Sequence, residues 1–579
     1  MGLMSSLYTG VSGLTVSQSA LNTTSHNLAN VNTKGFVRQQ VVQSDFSYLK
    51  WGVTAVSTLQ TGLGVDMETI RQVRNTFLDK SYRQEIGRQG FYETQYESVN
   101  EVESMFGELE GVAFQDSLSS LWTSLQELSK EPDAIEVRAT LVENAKSFLE
   151  RASTIADQLA SYQANLNTQI SDKVNTINSI ATQISKLNDQ ICRYESNGIE
   201  NANDLRDQRN VLLDELGGLI NITYKENANG VVTVNAEGYP LVSETQTFQM
   251  GTTTVSETSS LLKPIWTSYG GIDVFNLDVI PSTSANTDIG SLKGLLYSRG
   301  SKEANYTDIP LREDYASDAD FEAAVKDFNS EINTSVIMTV QAQFDQLIHG
   351  VVTAINDIFS PNKKVTIQDG AGGTKEIYIF DEENAPMGMD EPDYTMGEAL
   401  FNRKSTERYT VQNVTIINED GSTTTKDVKV YNQEDKDDIY SLFTLGEIEV
   451  NPEITNNYSK LPISSNQSGE IDTKTAEALL NLWDQSFAAL SPDSLSVSNF
   501  KDYYTNMIGE IATRGNELKS ISDNQATMVD NIDDQRQQVA GVSSDEELTN
   551  LIKFQHAYNA SSRFISVIDE MLEHLITRL

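Results

Sequence analysis

The sequence of 579 residues has little cysteine and few basic residues. Its single cysteine, Cys192, excludes an intramolecular disulfide. Lysine and arginine together number 42 against 83 aspartates and glutamates, which leaves a net charge of −41 at pH 7. This excess of negative charge makes sustained contact with nucleic acid or with an anionic membrane surface electrostatically costly. We therefore predict that nucleic acid is not a partner.

Long apolar runs and an N-terminal positive charge are also missing. No run approaches the roughly 18 apolar residues of a membrane-spanning helix, which predicts no membrane insertion. The first basic residue is Lys34, so the start of the chain lacks the basic segment of a cleaved secretory signal. If the protein leaves the cytoplasm, we expect a route that reads an uncleaved N-terminus.

Candidate catalytic and metal-binding groups are scattered along the sequence. The four histidines lie in different segments without neighbouring cysteines or metal-ligand spacing. The run DGAGGTKE lacks the ending of a phosphate-binding loop, and acidic runs such as EDKDDIY miss the spacing of a calcium loop. No nucleophile, base and orienting acid are identifiable together. We predict no enzyme, no cofactor and no metal site, and we interpret the acidic runs as solvated loops.

Both ends of the chain have the apolar spacing of coiled-coil helices. Near the start, a 3-4 rhythm consists of Leu7, Val11, Leu14, Leu21 and Leu28; polar residues dilute it, and the two glycines inside it reduce helix stability. Near the end, a stripe too wide for one partner helix consists of Leu551, Phe554, Tyr558, Ile565, Ile568, Leu572 and Leu575. Spacing alone favours equally an intramolecular bundle of the two helices and contacts between molecules.

The middle of the chain alternates between helical and β-rich patterns. A helical region from about 76 to 216 includes a stretch without proline after Pro132, about 60 residues or roughly 90 Å of helix. Two β-rich regions contain hairpin signals at Asn229-Gly230 and near Asp420-Gly421. We predict a multidomain α plus β fold, in which an elongated, coiled-coil-like helical stalk is built from both the N- and C-terminal regions and carries β-rich inserted outer domains.

The predicted boundaries follow these changes of pattern. The predicted domains are a terminal helical domain at 1–45 and 545–579, a helical stalk at 46–222, 323–360 and 470–544, a β-rich domain at 223–322, and a second β-rich outer segment at 361–469. A break before the last helix is expected at Gly541.

Motifs at the two ends resemble the signatures of flagellar rod, hook and hook-associated proteins. They are LYTGVSGLTVSQSALNTTSHNLANVNTKGFVRQQ and GVSSDEELTNLIKFQHAYNASSRFISVIDEML. Segments such as LSSLWTSLQELSKEPDAIEVRATLVENAKSF and NDLRDQRNVLLDELGGLINI resemble the members that join the hook to the filament. Lys34 and Phe36 stand where the family often has proline and tyrosine.

The resemblance implies a structural adaptor that joins hook to filament by helical self-assembly. The terminal helices of many copies would form the inner tubes around an export channel, with the β domains outside. The implied partners are copies of the chain, the hook protein, a second junction protein or filament flagellin, and a cytoplasmic export chaperone. The implied location is the hook-filament junction outside the cell, reached by type III export without a cleaved signal peptide.

The resemblance also assigns residues. The two apolar stripes become the assembly interface, and the chaperone would bind the C-terminal helix at Leu551, Tyr558, Ile565 and Leu572. The N-terminal turn motif consists of Asn27, Asn30, Asn32 and Gly35. We expect Asn30 and Asn32 to form hydrogen bonds with the backbone of the turn and Gly35 to adopt a positive φ. The alternatives are a hook or rod type of axial protein, a secreted coiled-coil adhesin, and an axial protein with an enzymatic outer domain.

Overall fold

The computed structural model describes residues 3–53, 58–107, 113–198, 200–257, 259–368, 373–418, 422–465, 470–494 and 496–578. The α-helices are α1 (Leu3–Ala29), α2 (Thr76–Phe106), α3 (Phe114–Lys130), α4 (Ile135–Glu195), α5 (Asn203–Leu219), α6 (Ser291–Arg299), α7 (Asp318–Asp327), α8 (Val336–Phe359), α9 (Pro452–Asn456), α10 (Thr473–Leu482), α11 (Phe500–Ala540) and α12 (Ser544–Arg578). A π-helical turn, Phe328–Ile332, precedes α8.

The strands of the described residues fall into six sheets. They are β1 (Gln39–Asp45), β2 (Tyr48–Val53), β3 (Thr58–Gly62), β4 (Val65–Gln72), β5 (Ile222–Glu226), β6 (Val232–Ala236), β7 (Tyr239–Ser243), β8 (Gln246–Thr247), β9 (Met250–Thr254), β10 (Leu262–Trp266), β11 (Ile272–Asp273), β12 (Asn362–Gln368), β13 (Thr374–Phe380), β14 (Phe401–Arg403), β15 (Tyr409–Ile417), β16 (Thr423–Tyr431) and β17 (Ile448–Val450). The predicted fold class, long terminal helices with β-rich modules between them, is confirmed.

The longest helix, α4, spans 61 residues and therefore extends about 90 Å. It has no internal proline, and its buried residues recur at steps of three or four, as in Ile170, Val174 and Ile177. One continuous hydrophobic core joins this helix to α2, α3, α8, α10 and α11. Phe114 contacts the rings of Phe344 and Tyr504, so three helices meet at one aromatic cluster.

The first β-rich region packs on α4. Strands β5 to β8 form one antiparallel sheet, and β9 to β11 form another. Register pairs β5 with β6 around the predicted Asn229-Gly230 turn, where Gly230 has a φ of +75°. Helix α6, inside the span predicted as β-rich, is buried throughout and packs against α2, where the Gly290 N–H donates to the Gly87 carbonyl at 2.8 Å.

Strands β12, β13, β16 and β15 close a small barrel with its own core. The predicted hairpin at Asp420-Gly421 corresponds to the pairing of β15 with β16, although these two residues lie outside the described residues. The barrel core consists of Ile379, Val414, Ile416, Val428 and Val430.

The structure divides the span 361–469, which the sequence predicted as one outer segment. Strands β14 and β17 pair with each other and lie outside the barrel. Phe401 and Phe443 are fully buried in the main helical core together with Leu400. Only the barrel strands therefore form a separate module, because the intervening chain buries its apolar side chains against the helices.

The described residues of 39–53 and 58–72 form an antiparallel ribbon, although most of them were predicted to belong to the helical stalk. Strand β1 pairs with β4, and β2 pairs with β3. From Val65 to Thr69 half-buried and exposed residues of β4 alternate, which is the period of two expected of a strand with one covered face. The β1–β4 part of this ribbon contacts α1.

Candidate assembly interface

Helices α1 and α12 pack against each other as an antiparallel pair, which we call the terminal pair. Gly10 lies beside Ile565, Gly13 beside Ser561, and Asn27 beside Glu547, so the residue numbers rise along one helix as they fall along the other. A Cβ placed on Gly10 would lie 2.9 Å from Ile565 Cγ1. The two backbones are therefore closer than side chains larger than hydrogen would allow at this point.

The buried face of α1 is made mostly of small residues, with Val16 at 4% exposure as the larger exception, and the spacing of the leucines did not predict this face. Gly10, Ser17 and Thr24 are buried at seven-residue steps, with Ala20 and Asn27 between or beyond them. The predicted stripe lies beside this buried face and not on it. The four leucines, Leu7, Leu14, Leu21 and Leu28, are half-buried, and Val11 is 46% exposed. Gly10 and Gly13, which the sequence analysis interpreted only as a cost to helix stability, are the residues that could have indicated this close contact.

The predicted stripe of α12 faces mainly inward. Leu551, Phe554, Tyr558, Ile565 and Leu572 are half-buried, and Ile568 is only 3% exposed. Leu575 differs, because 47% of it is exposed. The structure thus brings most of the predicted C-terminal residues against α1 of the same chain.

A second row of apolar residues on α12 is open to solvent. It consists of Phe564, Val567, Met571 and Leu575, each about half exposed. Met4 and Tyr8 on α1 are more exposed still. Large apolar side chains clustered in this way on a surface mark an interaction site more often than isolated ones do.

The polar turn after α1 reverses the chain within a few residues. The Asn30 side chain donates to the His26 carbonyl at 3.0 Å and accepts from the Thr33 hydroxyl at 3.0 Å. Gly35 has a φ of +78°, and a Cβ there would overlap Val211. Asn32 is exposed, and its side chain forms no hydrogen bond within the described part of the chain.

Asn27 joins three elements at the base of the terminal pair, and we call this contact the Asn27 joint. Its side-chain amide donates to the Gln39 carbonyl at 2.9 Å and to Glu547 Oε2 at 3.1 Å, and its oxygen accepts from the Gln39 N–H at 3.0 Å. Asn27 is 1% exposed and Glu547 is 3% exposed. Burial raises the pKa of Glu547, while the bond from Asn27 lowers it. One asparagine thus fixes the end of α1, the start of β1 and the start of α12.

Further polar contacts hold the segment after the turn. The Arg38 guanidinium pairs with Glu546 at 2.9 Å, and the Arg38 N–H donates to the Ala540 carbonyl at 2.8 Å. Asp207 on α5 accepts from the Val37 N–H at 3.1 Å and from the Gln72 amide at 2.6 Å. Burial raises the pKa of Asp207 to about 7.

An ion-pair cluster anchors the end of α11, just before the chain enters α12. Arg536 lies 3.1 Å from Asp79 on α2 and 2.8 Å from Asp214 on α5, and its guanidinium stacks on Tyr82. Arg83 also pairs with Asp214, at 2.6 Å. This cluster fixes the point from which α12 leaves the helical body. The spacing of residues in the sequence could not reveal it, because its members come from three distant segments.

Charge is distributed very unevenly between the terminal pair and the rest of the chain. Residues 1–45 carry two basic and one acidic side chain, and residues 545–579 carry three basic and six acidic ones. These segments thus account for only −2 of the net charge of −41. The terminal pair is close to neutral, while the body is strongly acidic.

Among the described residues, no group of three or more histidine, cysteine, aspartate or glutamate side chains is arranged to hold a metal ion. No described helix is both long enough and apolar enough to cross a membrane.

Three family models match parts of the chain. The model described as flagellar hook-associated protein FlgK helical domain matches residues 99–372. The flagellar basal body rod FlgEFG protein C-terminal model matches 534–578, and the flagella basal body rod protein model matches 7–36. The two rod models therefore coincide with the two helices of the terminal pair.

Known proteins resemble the chain along nearly its whole length. Flagellar hook-associated protein 1 of Bacillus subtilis (strain 168) is 25% identical over 98% of this chain and 97% of that protein. The proteins of that name from Salmonella typhimurium and Escherichia coli (strain K12) are each 25% identical over 99% of this chain and their full length. The solved flagellar hook junction protein FlgK from Burkholderia pseudomallei covers 79% of this chain and 100% of its own, with a TM-score of 0.51 and 14% identity, a likeness of fold alone.

The paired terminal helices and the rod-protein matches at both ends define a flagellar axial protein, which is a structural class. Within that class the chain is similar along nearly its whole length to flagellar hook-associated protein 1, as the sequence predicted. It is a structural, hook-associated junction protein of the bacterial flagellum, and its family is not a family of enzymes.

We predict that Asn27→Ala loosens the terminal pair from the body. The change leaves Glu547 and both backbone groups of Gln39 without their partner in a buried place, which costs about 1–3 kcal/mol. Amide exchange in α1 should accelerate roughly 5- to 150-fold, because each 1.4 kcal/mol corresponds to a factor of ten. Asn32→Ala, on an exposed residue of the same turn, is the matched control and should leave exchange unchanged. Equal rates in the two variants would contradict a fastening role for Asn27.

Proposed function

We propose that the terminal pair is the element through which copies of this chain assemble into a hollow junction. Hook protein would adjoin one end of the assembly, and a second junction protein or filament flagellin the other. The observation that carries the proposal is the exposed apolar row of α12, Phe564, Val567, Met571 and Leu575, on a near-neutral helical pair. Covering such a row removes apolar surface from water, which is the main driving force of association.

The uneven charge supports the same proposal. Copies packed side by side through their acidic bodies would repel one another, whereas contact through the terminal pairs brings little charge together. The barrel and the sheets β5–β11 would then lie outside the contact. Their acidity would keep unassembled copies apart.

We propose further that the chain leaves the cell by type III export without a cleaved signal peptide. The support is the resemblance of the termini to those of exported axial proteins. Residues 3–29 form α1, which the assembled protein would need intact.

Met571→Asp tests the assembly role. Met571 is 52% exposed, so the folded monomer should keep its circular dichroism and melting temperature. A charge buried without a partner in the contact costs several kcal/mol, and we expect assembly to weaken at least about 100-fold, which corresponds to about 2.7 kcal/mol. Sedimentation over a concentration series and swimming of cells carrying the variant are the measurements.

Val411→Asp is the matched control for this experiment. Val411 lies on barrel strand β15, is 68% exposed, and receives the same charge far from the terminal pair. It should assemble and support swimming like the unchanged chain. If Met571→Asp behaved like Val411→Asp, α12 would not provide the assembly surface.

The residues of α12 that we predict to bind a chaperone are covered by α1 in the folded chain, so the chaperone has to bind before α1 packs. Tyr558, Ile565 and Leu572 face α1 in the folded chain, where Ile565 contacts Gly10. We propose that an export chaperone binds α12 before α1 packs onto it. Removal of residues 1–29 should then strengthen chaperone binding in titration calorimetry, since no helix competes for the face. Equal or weaker binding after this truncation would count against the assignment.

A further inference from the structure

We infer that a cavity between the first β-rich region and α6 binds a carbohydrate, and that Lys293 and Glu237 share one hydroxyl of the sugar. The cavity has a volume of about 790 Å³ and lies where β7, β10, β11, α6 and the π-helical turn Phe328–Ile332 meet. This volume is within the range of small-molecule sites, and single π-helical turns are frequent at functional sites. The cavity is in the body of the chain, away from the terminal pair.

Lys293 on α6 holds a buried charge without a partner. The residue is 6% exposed, and within the described part of the chain its ammonium group has no hydrogen bond and no ion pair. The Lys293 Nζ atom lies 5.7 Å from the centre of the Phe275 ring, which lines the cavity. Leu296 and Tyr297, which also line it, follow Lys293 by about one helical turn and so share its face. The ammonium group is therefore at the inner end of the cavity.

Glu237 approaches the same place from the opposite wall. Glu237 and Gly238 form the two-residue turn between β6 and β7 with φ values of +47° and +85°, as in tight hairpin turns. The Oε1 atom of Glu237 is buried and has no hydrogen-bond partner among the described residues. Burial raises the pKa of Glu237 to about 7, while the nearby charge of Lys293 lowers it. The two side chains thus interact through space but do not pair directly.

A hydroxyl group fits between these two side chains. It accepts a hydrogen bond from an ammonium group and donates one to a carboxylate at the same time. A carboxylate ligand would accept from Lys293 but repel Glu237, and an amine ligand would do the reverse. The charges of the pair cancel, so this end of the cavity favours an uncharged ligand that carries hydroxyl groups.

The rest of the wall favours a sugar over a simple alcohol. Phe275 and Tyr239 bring aromatic rings to the cavity, and the negative face of such a ring attracts the weakly positive C–H groups of a sugar ring. Asp278 and Glu331 bring carboxylates that accept no hydrogen bond within the described residues. Carboxylates form strong hydrogen bonds with hydroxyl donors, so further hydroxyls of the same sugar have partners.

The other basic side chains of the wall do not attract an anion. Lys263 pairs with Asp273 at 2.9 Å. Arg299 donates to the Asn167 side-chain oxygen at 2.7 Å and to the Gly300 carbonyl at 2.9 Å. An anionic ligand would therefore find only Lys293 among several carboxylates, which leaves an uncharged ligand as the better fit.

Saturation-transfer NMR with the full-length chain tests the site. The probes are glucose, galactose, mannose, N-acetylglucosamine and their disaccharides at millimolar concentration, and at least one of them should bind. Lys293→Met keeps the apolar stem and removes the donor, and it should weaken that binding at least about 10-fold, because a hydrogen bond to a charged group is lost. Glu237→Gln should weaken it as well. Lys186→Met, at an exposed lysine of α4, is the matched control and should bind like the unchanged chain.

Several results would overturn the inference. They are the absence of binding by every sugar of the panel, equal binding in Lys293→Met and Lys186→Met, and binding of glycerol as tight as that of the best sugar, which would show an adventitious hydroxyl contact only. Tighter binding of glycine or putrescine than of any sugar would show that the ligand class is wrong. Tyr239→Ala, at a residue that is 39% exposed, keeps the test valid if Lys293→Met fails to fold by circular dichroism. Unchanged sugar binding in folded Tyr239→Ala would also contradict the site.

Discussion

The close contact between α1 and α12 is the constraint on which the assembly surface depends. Gly10 and Gly13 let the two backbones approach, so that Ile565 and Ser561 lie where a larger side chain on α1 would stand. Because small residues fill the contact, the leucines of α1 and the outer row of α12 stay partly exposed at the surface of the chain. A contact built on the leucines would have buried the surface that copies need for each other.

A set of polar contacts fixes the position of this pair relative to the body. Asn27 ties both helices to β1, Asp207 holds the backbone of Val37, and Arg536 anchors the end of α11 to α2 and α5. Buried hydrogen bonds and ion pairs of this kind add little net stability but lose much when one partner is removed. The joint is therefore well suited to define one orientation of the terminal pair relative to the body.

The sequence predicted the features that have a regular period or a local turn signal. The long helix α4, the break at Gly541 and the hairpin at Asn229-Gly230 follow from heptad-like spacing, helix termination and turn chemistry. Spacing could not decide what the terminal helices contact, because leucines at heptad positions fit an inner or an outer surface equally. It also missed β14 and β17, whose three residues each are too short for a pattern.

We propose that the terminal pair of one chain enters the assembly as a closed unit and binds its neighbours through its exposed apolar residues. A disulfide between Gly13→Cys and Ser561→Cys, in a Cys192→Ser background, tests it directly. A Cβ on residue 13 would lie 3.8 Å from that of Ser561, within the range of about 3.5–4.5 Å that disulfides need. The oxidised protein should assemble as well as the reduced protein, measured by sedimentation of the same preparation. If oxidation abolished assembly and reduction restored it, the two helices would have to separate, and the account would be contradicted.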